Sequence, residues 1–380
     1  MRPSAKLSIA CTFLLAQAVV IAQSSGTSKR GIAYIKDGHS ADYNLLLSAK
    51  SPLDWYYTWL PTTAPENIFW GDKADTIEFV PTIHNNTKLD ADLDALERVP
   101  ASSQYLFTFN EPDGTFETGG SDLSPQDAAR DYIAKIAPLR SRFKISHPAT
   151  TGSARGFQWL QDFNAACWAI DPENGCPTDF VVVHWYGDFQ GMASWIGQLA
   201  GWYNGSNVGL QGDLKVWVTE LGVPGAPMDA NYAVMSQTLP YLDSLGFVER
   251  YAWFGIFRPD GANSWTGTGL SLYDNDGGLS SLGALYVGGE SNGFVVGEQG
   301  NEYNGTVGNG GSNETDTGGD NSTDTGSGNG NGNDNDTDSG SNTGNATGSS
   351  QGDNGSSAQS IASATWLLWA SVIAMGCWML

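Results

Sequence analysis

Phe180-Val-Val-Val-His-Trp-Tyr186 and Lys215-Val-Trp-Val-Thr-Glu-Leu-Gly222 are the stretches that decide the fold. Both are continuous apolar runs without alternation, as expected of strands buried on both faces of a parallel sheet. Between them, 192–203 carries apolar residues at helical spacing. Working outward, further strand-like runs lie at 31–35, 54–60, 77–84, 105–111, 144–148 and 250–257. Helical patterns fall at 89–99, 157–167, 231–245 and 280–287, and another opens at Ser124-Pro125-Gln126-Asp127. Ser124 suits the cap, Pro125 the first turn, and Asp127 the positive end of the helix dipole. Eight strands mostly alternating with helices predict an α/β chain with a single (β/α)8 TIM barrel over 29–288.

Two of these strands end in glutamates, about a hundred residues apart: Tyr105-Leu-Phe-Thr-Phe-Asn-Glu-Pro112 and the run ending at Glu220. Glutamate is rarely buried, because an unpaired carboxylate is costly away from water. In a barrel the C-terminal strand ends form one mouth. Glu111 and Glu220 are therefore predicted to converge there, with His184, Trp185, Tyr186, Trp253 and Trp59. Two carboxylates facing one bond are what glycoside hydrolysis requires. Pro112 is expected to hold Glu111 extended. Glu111 then reads as the proton donor with a raised pKa, and Glu220 as the ionised nucleophile. Asn110 is placed to hydrogen-bond a sugar hydroxyl. Tyr186 or His184 would orient Glu220, and Trp253 with other aromatics would stack on sugar rings. Asp113 is either a helper or a loop residue.

The ends read differently. Residues 1–22 carry Arg2 and Lys6, an apolar stretch and a small-residue site at 20–22, the pattern of a secretory signal. Lys29-Arg30 is either a second processing site or solvated charge. Residues 289–354 are rich in Gly, Asn, Asp, Ser and Thr, with little to bury, and read as a disordered stalk. N-glycosylation sequons occur at Asn85, Asn204, Asn304, Asn313, Asn321, Asn335 and Asn345. Residues 355–380, with an apolar tail and no basic flank, match a GPI-attachment propeptide, with Asn354, Gly355 or Ser356 as the attachment residue. A single membrane span would need about twenty apolar residues and usually a basic flank.

The formal net charge is −23, and eleven acidic residues but no Lys or Arg fall in 290–360. No basic patch is visible, which argues against a nucleic-acid partner. Of four cysteines, Cys11 and Cys377 lie in the terminal segments. Cys167 and Cys176 remain and are expected to pair in a secreted chain. A metal site would need more ligands than this pair, and none of the four histidines has ligand spacing to it.

Five motifs in order carry a family resemblance: Lys29-Arg-Gly-Ile-Ala-Tyr34, Phe109-Asn-Glu-Pro-Asp113, Asp179-Phe-Val-Val-Val-His-Trp-Tyr186, Trp217-Val-Thr-Glu-Leu-Gly222 and Tyr251-Ala-Trp-Phe254. Over roughly 29–288 the chain resembles the fungal alkali-sensitive-linkage glycosyl hydrolases of glycoside hydrolase family 128. The resemblance implies a (β/α)8 barrel and a retaining β-1,3-glucanase, with Glu111 as acid/base and Glu220 as nucleophile. Cys167 and Gly175-Cys176-Pro177 also resemble that family's pattern. The long stalk departs from it, and the family includes endo-acting, exo-acting and mainly glucan-binding members.

The chain thus reads as a secreted, GPI-anchored, monomeric endo-β-1,3-glucanase of the cell wall, needing no metal or organic cofactor. Three alternatives stand beside this: a glucan-binding module, a structural wall protein, and the same chemistry on another β-linked polysaccharide.

Overall fold

The computed structural model describes residues 28–304, apart from 37, 206, 207 and 209–211. The signal segment, the sequons Asn313, Asn321, Asn335 and Asn345, the candidate attachment residue Asn354 and the apolar tail lie outside the described residues. Among the described residues, no helix is long and apolar enough to cross a membrane.

Among the described residues, nine strands, β1 (Arg30–Ala33), β2 (Trp55–Tyr57), β3 (Glu78–Phe79), β4 (Thr82–Ile83), β5 (Tyr105–Thr108), β6 (Lys144–Ile145), β7 (Phe180–Tyr186), β8 (Lys215–Gly222) and β9 (Val248–Trp253), form two sheets. Their orders are β3-β2-β1-β9-β8-β7 and β4-β5-β6, with every strand pairing parallel. The helices are α1 (Ser40–Leu46), α2 (Leu89–Leu96), α3 (Pro125–Asp131), α4 (Ala154–Ile170), α5 (Phe189–Tyr203), α6 (Met228–Ser244) and α7 (Ser281–Tyr286). This is an α/β fold of parallel strands. Ser124 caps α3 as its sequence predicts, accepting from the Asp127 amide. The run expected as one third strand divides at Val80-Pro81. Pro81 has no amide proton to give a ladder, yet its carbonyl accepts from Phe107 N while Val80 N donates to Tyr56 O. The chain so passes from one sheet to the other.

Two apolar layers follow. One lies between strands and helices and is dominated by aliphatic residues of both. The other gathers Ala33, Trp55, Tyr57, Phe107, Val182 and Trp217 from five strands, with Tyr105 and Phe180 beside them. Trp217 is its centre, with ring centroids of Tyr105, Phe180 and Trp55 at 4.6, 4.8 and 5.2 Å. The Arg250 guanidinium stacks 4.3 Å over Trp217 and pairs with Glu78 at 2.6 Å. Trp55 lies so close across β1 that a Cβ on Gly31 would meet its ring at 2.2 Å. Only glycine fits there.

Three expectations change. Lys29 and Arg30 are not loose charge: Lys29 donates to the carbonyls of Leu242, Asp243 and Leu245 at the end of α6, while Arg30 binds Tyr251, Tyr286 and Asp243. Cations at a helix C-terminus satisfy its orphan carbonyls, so both residues belong to the fold. Second, the stalk does not begin at 289. Phe294 is fully buried, Leu279 and residues 297–298 exchange backbone hydrogen bonds, and Glu302 accepts from Ser40 on α1. One buried aromatic suffices to fix a polar, glycine-rich strap. Third, α1 went unread in the sequence, because its seven residues are almost all buried and show no polar face.

Cys167 and Cys176 form the expected disulfide, joining α4 to the approach to β7. Beside it, His147 is fully buried, with Nε2 2.7 Å from Cys176 O and Nδ1 3.2 Å from the Tyr203 hydroxyl. Burial lowers its pKa to about 4. Between that value and the ordinary 6.5, the unfolded chain binds a proton that the folded chain refuses. His147 therefore costs the fold about 3 kcal/mol as pH falls through this window, and nothing above it. The loss of melting temperature from pH 7 to 4.5 should be smaller in His147→Gln than in the unsubstituted chain; an equal loss in both would remove this residue from the acid response.

Candidate active site

Glu220 sits within β8, 5% exposed. The β7–β8 register shifts between Val183 and His184, so that Val183 faces Val218 but His184 faces Glu220. Such an irregularity re-aims a side chain, and here it sets the imidazole beside the carboxylate. Thr219, the skipped residue, accepts a hydrogen bond from Tyr57 through its carbonyl. Glu111 follows the end of β5 and opens the turn that Gly114 closes. Phe109 and Glu111 have φ of +36° and +39°, left-handed values that non-glycine residues rarely adopt. Pro112 therefore does not hold Glu111 extended. Glu111 is instead fixed by its own backbone: N donates to Ala149 O at 2.6 Å, and O accepts from Gly114 and Ser121. Strain of this kind persists where the surroundings over-determine it.

The two carboxylates meet at His184, which is 1% exposed. Its Nδ1 lies 2.9 Å from Glu111 Oε1 and 3.5 Å from Glu220 Oε2. Tyr186 donates to Glu220 Oε2 at 2.6 Å, and Trp59 Nε1 donates to Glu220 Oε1 at 2.8 Å. One ligand atom from each of Glu111, His184 and Glu220 lies within 4.8 Å of the others. These three are near enough to hold a cation, but Nδ1 is already engaged with Glu111, and a metal would have to displace that contact.

Burial pushes the Glu220 pKa up and Glu111 adds to it, against His184, Tyr186 and Trp59; the net direction is upward. Burial works against charge on His184, but Glu220 and Glu111 outweigh it and raise the imidazole. Both shifts arise from one contact: Glu220 and His184 are buried against each other, with Glu111 beside them. Burial also raises Tyr186 and Tyr57 well above the ordinary phenol, with Glu220 adding in each case, so both stay neutral donors.

The other predicted residues divide. Tyr186 and His184 reach the site as expected. Asn110 is 8% exposed and its Nδ2 donates to Gly119 O at 3.2 Å, holding the following loop. Asp113 is a loop brace, accepting from Thr151 N and Oγ1 and from Arg155. Trp185 is a correction: on a strand its side chain points opposite to those of 184 and 186, and it packs over Gly152 and Gly191 near Trp195 of α5. Trp253 is another: it is 1% exposed, with Nε1 donating to Leu270 O, and has no free face for a sugar.

Trp59 reaches the mouth as its place at a strand end predicts, and two further residues, His84 and Trp265, join the site without having been singled out in the sequence. A φ of +56° turns Trp59 out of the line of β2 toward Glu220. His84 follows β4, its carbonyl accepting from Asn110 N, and interacts with Glu111; burial lowers its pKa. Its place at a strand end was the available signal. Trp265 is 53% exposed, its ring 4.8 Å from that of Tyr186. It lies in a loop with no strand pattern to mark it.

The family model for the glycosyl hydrolase catalytic core matches residues 31–286. Alkali-sensitive linkage protein 1 of Schizosaccharomyces pombe is 28% identical over 275 residues, covering 70% of this chain and 45% of that protein. The chain thus spans less than half the length of that relative. Among solved structures, a curdlan-specific exo-β-1,3-glucanase of Blastomyces gilchristii (glycoside hydrolase family 128, subgroup III, in complex with glucose) is similar at 27% identity and a TM-score of 0.51, over 68% of this chain and 97% of its own. An endo-β-1,3-glucanase of Sorangium cellulosum (subgroup II of the same family) matches at 27% identity and a TM-score of 0.52, over 68% and 98%. With the catalytic-core model matched over two thirds of its length and a glutamate pair at the strand ends, this chain belongs to the glycosyl hydrolase catalytic core family, within glycoside hydrolase family 128.

Proposed function

We propose that this chain is a retaining β-1,3-glucan hydrolase acting outside the cell on wall glucan. The observation that carries the reading is the approach of Glu111 and Glu220, with one oxygen of each within 4.8 Å of the other. Retaining enzymes hold their carboxyl groups ~5–5.5 Å apart, whereas inverting enzymes leave ~6.5–9.5 Å for a water. Glu111 gives its proton to the leaving glycosidic oxygen while Glu220 attacks the anomeric carbon, and the C–O bond breaks as the glycosyl ester forms. Water then attacks the anomeric carbon of the glycosyl ester, Glu111 takes its proton, and the C–O bond to Glu220 breaks so that Glu220 leaves as carboxylate. Tyr186 and Trp59 favour the ionised form of Glu220 that attacks, and His184 holds Glu111.

The fold we assign is a closed (β/α)8 barrel. Counting β3 and β4 as one interrupted strand gives eight, and the isolated Ser146–Phe180 bridge supports contact between the two sheets. The β-1,3-glucan specificity rests on the two similar family members at 27% identity. Secretion, glycan attachment and a GPI anchor rest on the terminal sequence patterns. Asn204 is exposed, and Asn85 holds the Thr87 amide and hydroxyl through Oδ1, a turn that suits a surface sequon.

Glu220→Gln should lower kcat/KM on β-1,3-glucan oligosaccharides at least about 10³-fold while leaving binding intact. The unsubstituted enzyme should release the β-anomer first, as read by NMR. Binding without any cleavage would leave a glucan-binding protein, and release of the α-anomer would mean inversion.

Loss of rate on the acid side should begin above the ordinary carboxylate range, because burial raises Glu220. Tyr186→Phe removes a donor that favours the ionised form. Its acid limb in kcat/KM should move to higher pH; an unmoved limb would show that the hydroxyl does not tune Glu220.

A further inference from the structure

Trp265 is the one exposed tryptophan among the described residues. A lone exposed apolar side chain is ordinary, but this indole is held on a fixed turn and continues an aromatic surface that reaches the catalytic pair. Its support is rigid: Asn263 Oδ1 accepts from the amides of Trp265 and Thr266 at 2.9 and 2.8 Å, and Gly267 N closes the turn on Asn263 O at 3.0 Å. Thr266 is buried, and its carbonyl accepts from Gly225 N, which ties this turn to the loop that follows β8 and Glu220. The turn thus presents the indole rather than letting it collapse onto the surface.

What it is presented beside is equally specific. Tyr186, whose hydroxyl binds the Glu220 carboxylate, meets Trp265 edge to face at 4.8 Å. Phe254 lies 6.4 Å from Trp265, 5.8 Å from Tyr186 and 5.8 Å from Trp59. Trp59, Phe254, Tyr186 and Trp265 form an aromatic arc around Glu220, and Trp265 is its outermost and most exposed member. A glucosyl ring has apolar C–H faces that pack on such a surface, while its hydroxyls stay in water at the rim.

We propose that the Trp265 indole is a platform for a glucosyl unit of β-1,3-glucan lying beyond the sugars that flank the cleaved bond, and that it sets a preference for longer chains. This rests on the glucan reading above but is independent of catalysis. Trp265 is a binding residue and takes no part in the proton transfers.

The test uses the full chain carrying Glu111→Gln, which leaves the Tyr186–Glu220 contact in place. Binding of laminarihexaose and laminaribiose is followed by calorimetry and by tryptophan emission. Adding Trp265→Ala should weaken hexaose binding roughly 5- to 30-fold, leave biose binding within about 2-fold, and remove a blue shift that hexaose causes. Trp265→Phe should recover part of the affinity. The melting temperature should stay nearly unchanged, as for other surface substitutions. Equal weakening for both sugars would mean a general disturbance of the site and would overturn the proposal. Hexaose binding unaffected by either Trp265 substitution would overturn it alone, whereas failure of the Glu111→Gln chain to bind either sugar would sink the glucan reading and the platform with it.

Discussion

The rest of the site depends on keeping a charge on a carboxylate almost sealed from water. A buried ion is costly unless charge partners and hydrogen bonds replace its lost hydration. Glu220 has two donors on its oxygens and an imidazole 3.5 Å away. His184 and Tyr186 come from β7 and Trp59 from just past β2, and two of the three rest on a local irregularity. His184 needs the register shift in β7–β8, Trp59 needs a left-handed residue after β2, and Tyr186 needs the final, half-buried residue of β7. Backbone departures that look like separate oddities are answers to one electrostatic demand.

Beneath this polar mouth lies the aromatic layer around Trp217. Its rings fill the space between strands without polar groups except where a partner exists: Trp55 Nε1 reaches Lys29 O, and Trp217 Nε1 reaches Glu249. Large rigid side chains pack with few rotamers to lose and hold the strand ends above them at fixed spacing. A misplacement of about 1 Å between reacting groups can cost about a hundredfold in rate, so the packing below Glu111 and Glu220 bears directly on the chemistry.

Much of this was legible in the sequence. The strand–helix alternation reads directly because buried parallel strands are uninterrupted apolar runs, and Glu111, Glu220, His184 and Tyr186 stand out as polar residues at their ends. What did not read were features set by tertiary contact. Trp253 and Trp185 look like Trp265 in composition, yet burial separates them, and no local pattern reports burial. The positive φ of Glu111 runs against the extended bias that Pro112 imposes, since the Ala149 carbonyl and the 114–121 loop decide that backbone. The strap at 293–303 has the composition of a linker but is held by Phe294 and by a few hydrogen bonds to Ser40 and Leu279. Composition averages over such single anchors.

The difference between the glutamates explains why they take different parts in the proposed mechanism. Glu220 lies within a strand, with both oxygens held by donors that disfavour its protonation, as a nucleophile requires. Glu111 sits on a turn, somewhat more open, and His184 is its close side-chain partner. An acid/base must change protonation twice in each cycle, and titratable neighbours permit this better than fixed donors. Glu220 is the strongest influence raising the His184 pKa. Converting Glu220 to a neutral ester removes that influence, so His184 gives up its charge more readily in the intermediate. In the proposed mechanism the charge that His184 answers to thus disappears as the ester forms and returns as it is hydrolysed.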